Sequence, residues 1–357
     1  MNKNEIILQL SKAKIDPTVQ MEVIEKIKTY TEWEYLVGQL IFHKVLCRAY
    51  KHFLDMDAIE YIPPAIEQSM RVSYRANELK HLCIQENLYD VVCSLNQLNI
   101  QYAIIKGITI EQDLFCDSVR EYNDIDLLIS FNDLDVVNRL LISLGYQRGI
   151  YDPTNNLIYS DRREDIFYIA NTHQTLPYRK LSDNKLFPVS TIDVQFDYTL
   201  NRQCGYNINI SEVLSRTKMF CHNNLFFSAL DNFDNFILMC THLYGEAILL
   251  GEIKKSKDLQ LNKIVDIYEW IERYYDCYDW EDKTNSIYLS NLIKPVYYCT
   301  YLIANLYKSN KAQNIMDLLK ISDVGFLDEY RDDSFDIKKW KAPLLERVFK
   351  TYKDNIL

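Results

Sequence analysis

The chain has 357 residues, 48% apolar and 25% charged, which excludes disordered, collagen-like and low-complexity classes and points to an ordinary globular protein of about two domains. Only 8 glycines occur, where average usage near 7% would give roughly 25, and no G-x-G-x-x-G or G-x-x-x-x-G-K-[ST] run is present, so glycine-cradle phosphate sites are excluded. The 50 acidic side chains outnumber 40 basic ones, and the formal charge of −10 disfavours bulk nucleic acid and anionic membrane as partners.

The elements follow in chain order. Three- and four-residue spacing of Trp33, Leu36, Val37, Leu40 and Ile41, and again of Leu88, Val91, Val92, Leu95 and Leu98, predicts helix from about Glu5 to Leu98, broken by Pro63-Pro64. A short β-prone run, Tyr102–Ile105, stops at Lys106-Gly107, and Ile108–Phe115 reads as one short helix. A second such run, Ile125–Ile129, is followed by a cap at Asn132-Asp133 and a helix Leu134–Leu144 closed by Gly145. Leu157–Tyr159, Asp165–Ala170, Ser190–Tyr198 and Asn224–Ser228 read as strands, and Leu176–Pro188, with two prolines, as a loop. Helical periodicity returns in Phe233–Leu250, Leu261–Tyr275, Ser286–Lys308, Ala312–Ile321 and Lys339–Tyr352. The expected organisation is a helical region over residues 1–98, an α/β core over 99–230 and a helical domain over 231–357.

Nine dispersed cysteines (Cys47, Cys83, Cys93, Cys116, Cys204, Cys221, Cys240, Cys277 and Cys299), with no C-x-x-C spacing, read as reduced core residues. The first residues form no apolar h-region and no run of about 18 apolar residues occurs, so a cytoplasmic protein without a membrane span is expected. The 27 tyrosines read as filling for amphipathic helices and half-buried surfaces.

The sharpest chemical feature is Asn123-Asp124-Ile125-Asp126-Leu127-Leu128-Ile129. In a strand, Asp124 and Asp126 share a face about 6.5–7 Å apart at Cα, and two such carboxylates repel unless a cation compensates. Magnesium suits that task, because it takes one or two carboxylates together with substrate phosphate oxygens. In Thr191–Asp197, apolar Ile192, Val194 and Phe196 alternate with Asp193, Gln195 and Asp197, so Asp193 faces away from the core and reaches the same metals if the two strands are neighbours; Asp197 is a second candidate. The bland alternative is a solvated sheet face.

Taken together, Ile104-Ile105-Lys106-Gly107, Arg120, Asn123–Ile129 and Leu144-Gly145-Tyr146 resemble the bacterial nucleotidyltransferase-like family with the pattern L-K-G, R, D-I-D-L-L-V, L-G-[YF], a branch of the DNA polymerase β-like nucleotidyltransferase superfamily. The resemblance is dense over about 45 residues and looser over about 30–275. It implies an α+β fold with a small mixed sheet flanked by helices, two divalent metals (Mg²⁺ or Mn²⁺), and transfer of a nucleoside monophosphate from an NTP, ATP first among them, to an acceptor with release of pyrophosphate. Asp124 and Asp126 match the paired metal ligands and Asp193 the third carboxylate, ligand or base. Gly107 matches the glycine that admits the triphosphate, although Ile108 follows it where a serine is common and the nearest hydroxyl is Thr109. Lys106 and Arg120 are the expected cations for the β- and γ-phosphates.

The resemblance extends to a helix carrying His242 and Glu246 at i, i+4, with Asp266 further on; lining the nucleotide pocket or buried hydrogen bonding suits His242 better than metal binding. His43, His52, His81, His173 and His222 show no clustered spacing, and Lys254-Lys255-Ser256-Lys257 reads as a solvated turn. The rival reading is a catalytically silent nucleotide-binding scaffold or interaction protein of the same fold. The acceptor hydroxyl belongs to a small molecule, a biosynthetic intermediate or a protein, and neither which of these it is nor the oligomeric state is legible.

Overall fold

The computed structural model describes residues 1–115, 119–151, 157–182, 184–198 and 205–357; Cys116 and Cys204 lie outside the described residues. The chain divides into two compact units, each discontinuous in sequence: a helical unit of Met1–Asn77, Leu114–Glu121 and Met239–Leu357, and a sheet unit of Glu78–Asp113 and Tyr122–Leu238. The fold is α+β, as expected. Among the described residues no helix is long and apolar enough to cross a membrane.

In the sheet unit, strands β1 (Tyr102–Ile105), β2 (Ile125–Ile129), β3 (Gln147–Tyr151), β4 (Leu157–Tyr159), β5 (Tyr178–Leu181), β6 (Val189–Gln195), β7 (Lys218–His222) and β8 (Leu225–Ala229) form one mixed sheet in the order β4-β3-β5-β6-β2-β1-β8-β7. Only the β2–β6 and β1–β8 pairs are parallel. One face of the sheet is apolar: Ile104, Ile125, Leu127, Ile192, Val194, Tyr178 and Phe227 pack with Leu88, Val91, Val92 and Leu95 of the helix Pro64–Leu95 and with Val137 and Leu141 of the helix Leu134–Ser143. Full burial of each such side chain is worth about 1.5–3 kcal/mol. Period-2 alternation then sends the intervening polar residues to the opposite face, which is where the functional question lies.

Several expectations are corrected. Asp165–Ala170 is not a strand but part of the helix Arg162–Thr172, because Asp161 and Glu164 form a capping box and Ile166 and Phe167, both largely exposed, give the segment no face to bury. Residues 176–188 are not all loop: β5 lies within them, antiparallel to both β3 and β6. β3 and β7 went unread because their polar residues mask the alternation. The first 62 residues make four helices, Lys3–Ser11, Pro17–Lys28, Trp33–Phe42 and Leu46–Asp55, rather than one block, with Asn2 and Asp16 supplying caps. Ser286–Lys308 splits into Trp280–Leu289 and Ile293–Tyr307, and Lys339–Tyr352 holds only the helix Leu344–Phe349. The cysteines are not uniformly core: among the described ones Cys47, Cys240 and Cys299 are buried, Cys221 and Cys277 exposed, and all seven are free thiols.

The helical unit encloses His43, whose side chain is fully buried; Nδ1 accepts from the Leu261 amide at 3.2 Å and Nε2 has no hydrogen-bond partner among the described residues. Burial, with a smaller push from Lys353, lowers its pKa from the ordinary 6.5 to about 3. The unfolded chain therefore takes up a proton as pH falls through 6.5 that the folded chain refuses until about 3, so stability is complete above 6.5 and declines below it. Urea denaturation from about pH 7 to pH 5 is expected to show this loss, and His43→Gln to make the slope shallower by at most about 1.4 kcal/mol per pH unit.

Candidate active site

β2 and β6 run side by side, and their register sets Asp126 directly beside Asp193. Lateral partners in a sheet point the same way with backbones about 4.8 Å apart. Asp124 stands one residue ahead of β2, close enough for its charge to act on Asp193. Asp126 is buried, and its Oδ1 accepts from Lys106 Nζ at 3.1 Å and from Gln195 Nε2 at 2.7 Å. Gln195 lies two residues beyond Asp193, hence on the same face. Asp193 Oδ1 is fully buried with no hydrogen-bond partner among the described residues. Burial first, then the charges of Asp126 and Asp124, push the Asp193 carboxyl up to about 7, while Lys106 and Arg179 pull it down. Asp124 makes no side-chain hydrogen bond or ion pair among the described residues.

This is a cluster of three carboxylates short of positive charge, with one buried oxygen left unsatisfied, and it fits a divalent cation. Among the described residues no group of three or more His, Cys, Asp or Glu side chains is placed to hold a metal ion by itself.

The corner after β1 brings Lys106 to these acids. Lys106 has φ 54° and ψ −143° and Gly107 φ +30°, conformations that a side chain strains to adopt. A Cβ at Gly107 would stand 3.3 Å from Tyr122 Cδ2 and 3.6 Å from the Asp124 carbonyl oxygen. Gly107 is therefore where two chain segments close on each other. Tyr122 in turn stacks on His81 with ring centroids 4.3 Å apart and donates to Glu111 at 3.1 Å. The Thr109 hydroxyl is buried and donates to the Lys106 carbonyl at 2.7 Å.

The remaining expected residues are Arg120, His242 and Asp197. Arg120 and His242 belong to the helical unit. Arg120 is buried and grips Asp266 Oδ2 through Nε at 3.0 Å and Nη2 at 2.8 Å. His242 Nδ1 lies 3.4 Å from Glu246, which also bonds Lys263. Against the burial that would raise it, His242 and Lys263 hold the Glu246 carboxyl down to about 2. Lys254, Lys255 and Lys257 form ion pairs with Asp333 and Glu252. Asp197 lies two residues beyond β6, 3.1 Å from His173 Nδ1.

Two contributors were missed. Gln195 was visible as part of the β6 alternation but was not singled out; Arg179 sat inside the segment read as loop. The sheet unit also holds a cavity of about 200 Å³ lined by Lys80, Asn87, Asn123, Phe187, Ser190 and Thr191 among others, adjoining in sequence both Asp124 and Asp193.

A family model described as an uncharacterised nucleotidyltransferase matches residues 29–308, and the chain belongs to that family. That membership suggests nucleotidyl transfer in general. No curated protein and no solved structure matches the chain.

Two substitutions test the local architecture. Arg120→Leu leaves the Asp266 charge buried and unpaired, and chemical denaturation is expected to show a loss of about 3–5 kcal/mol. If stability is unchanged, the pair is not structural. Gly107→Val adds side-chain bulk against Tyr122 at a positive φ, and a stability loss of about 1–3 kcal/mol is expected.

Proposed function

We propose that the chain transfers a nucleoside monophosphate from an NTP, ATP being the first candidate, to an acceptor hydroxyl with release of pyrophosphate, in the manner of the DNA polymerase β-like superfamily. The single observation that carries this reading is the side-by-side placement of Asp126 and Asp193 on parallel strands, with the Asp124 charge close by and a buried Asp193 oxygen unsatisfied.

In this reading Asp124, Asp126 and Asp193 would hold Mg²⁺ or Mn²⁺, which when bound neutralises the acids and withdraws charge from the phosphoryl oxygens. Lys106 has a partner to exchange: its ammonium sits on Asp126 and can move to the β- and γ-phosphates once the carboxylates are otherwise compensated. Gln195 holds the Asp126 carboxylate in a fixed orientation through its amide. Asp193, beside Asp126 on the neighbouring strand, is the carboxylate placed to take the acceptor proton. Gly107 keeps the corner low enough for the chain to approach the triphosphate. Thr109 spends its hydroxyl proton on the Lys106 carbonyl and so supports the corner rather than the substrate. Arg120, held by Asp266, is the second cation of this reading beside Lys106. The seven free thiols fit a reducing, cytoplasmic setting.

The test is incubation with each labelled NTP, Mg²⁺ or Mn²⁺ and a cell extract. Wild type is expected to transfer label, and Asp124→Ala to reduce transfer at least about a hundredfold. Transfer that survives the substitution contradicts the mechanism. Absence of thermal stabilisation by any NTP favours the silent-scaffold reading instead.

A further inference from the structure

The carboxylate face continues sideways beyond the three acids. β5 pairs antiparallel with β6, and Arg179 stands directly opposite Thr191. Opposed residues share a face, and Thr191 shares one with Asp193 two residues on, so Arg179 belongs to the carboxylate face. On β3 the residue opposite Arg179 is Gln147, which extends the polar strip by one more strand.

The Arg179 guanidinium donates through Nη1 to the Gly149 carbonyl at 3.1 Å and makes no ion pair among the described residues. Arg120, Arg148, Arg216 and Arg347 each meet an aspartate at 2.5–3.1 Å, whereas Arg48 and Arg331, like Arg179, donate to a carbonyl; of these three only Arg179 lies on the carboxylate face. Arg148, on the neighbouring strand, is among those that meet an aspartate. In a chain with ten more acids than bases, a half-buried guanidinium facing the acids yet paired with none is set apart. A carbonyl satisfies one of its five donors and none of its charge.

The strand order gives this cation a place in the reaction. Lys106, at the end of β1, and Arg179, on β5, flank the carboxylates of β2 and β6 from opposite sides. With Lys106 serving the triphosphate, the β5 side is left for the acceptor. We propose that Arg179 binds an anionic oxygen group, phosphate or carboxylate, of the acceptor, so that the acceptor is a small hydroxyl compound bearing negative charge about one or two strand spacings, 5–10 Å, from the reacting hydroxyl. A cationic amino sugar is then the wrong acceptor, since it would meet the guanidinium with like charge. This rests on the transferase reading above.

The experiment uses three probes built on one skeleton. Glycerol 3-phosphate, glycerate and neutral glycerol are titrated calorimetrically into the full chain loaded with Mg²⁺ and the non-hydrolysable α,β-methylene ATP. Wild type is expected to bind at least one anionic probe and not glycerol, and whichever of the two binds more tightly tells phosphate from carboxylate. Arg179→Gln is expected to weaken that binding about tenfold or more, and Arg179→Lys, which keeps the charge without the fork, by less. Affinity for the ATP analogue is expected to stay within about twofold in both variants. Anionic probes that bind wild type no better than glycerol overturn the proposal. So does Arg179→Gln binding them as wild type does, or losing the ATP analogue together with the probes. These outcomes leave the transferase reading standing as long as Asp124→Ala abolishes label transfer; if it does not, the transferase reading itself falls.

Discussion

Everything proposed for this protein depends on one electrostatic constraint: Asp126 and Asp193 are neighbours across a parallel strand pair, partly shielded from water, with Asp124 beside them. Like charges in a poorly hydrated place are unfavourable unless they are protonated or compensated. The protein itself offers Lys106, placed against Asp126, and a carboxyl at Asp193 shifted to about 7 by its surroundings. A core built for stability alone would not retain such a group, because apolar residues of the same size would pack there at lower cost. The arrangement is intelligible as a site that awaits positive charge.

The remainder of the sheet unit holds that constraint in place. Ile125, Leu127, Ile192 and Val194 anchor one face of β2 and β6 in the core, and this fixes the register, since a one-residue slip would turn the aspartates inward. The corner at Lys106-Gly107 has positive φ at both residues, a strain of order 1–3 kcal/mol for the lysine. It persists where Tyr122 packs on Gly107 and the ammonium finds Asp126. The scarcity of glycine in the chain is thus compatible with phosphate chemistry: the proposed site uses one glycine for close approach and relies on carboxylates for the rest.

Much of this was legible in the chain text, and the exceptions have physical reasons. β1 and β2 are short apolar runs bounded by Lys106-Gly107 and by Ser130-Phe131-Asn132-Asp133, so their limits could be read directly, and alternation in Thr191–Asp197 showed which side chains of β6 share a face. Alternation says nothing about strand order, so the pairing of Asp126 with Asp193 could be stated only as a condition. Arg179 was invisible because Tyr178–Leu181 carries two basic residues and lies between prolines, and only its partners β3 and β6 make it a strand. Arg120 matched the family pattern by position, but its partner Asp266 is 146 residues away, a tertiary contact that no local pattern signals. Arg162–Thr172 misled because the continuous apolar run Ile166-Phe167-Tyr168-Ile169-Ala170 imitates a strand, while the cap at Asp161 that decides for helix is a single polar side chain.

The most direct measurement of the central claim is Mn²⁺ binding followed by electron paramagnetic resonance, with and without a non-hydrolysable NTP, in wild type and in Asp193→Asn. The account predicts that wild type binds Mn²⁺ and that nucleotide tightens the binding. It also predicts that Asp193→Asn, which removes one charge while keeping the shape, weakens the nucleotide-dependent binding about tenfold or more. Equal Mn²⁺ binding by the two proteins in the presence of nucleotide would contradict it.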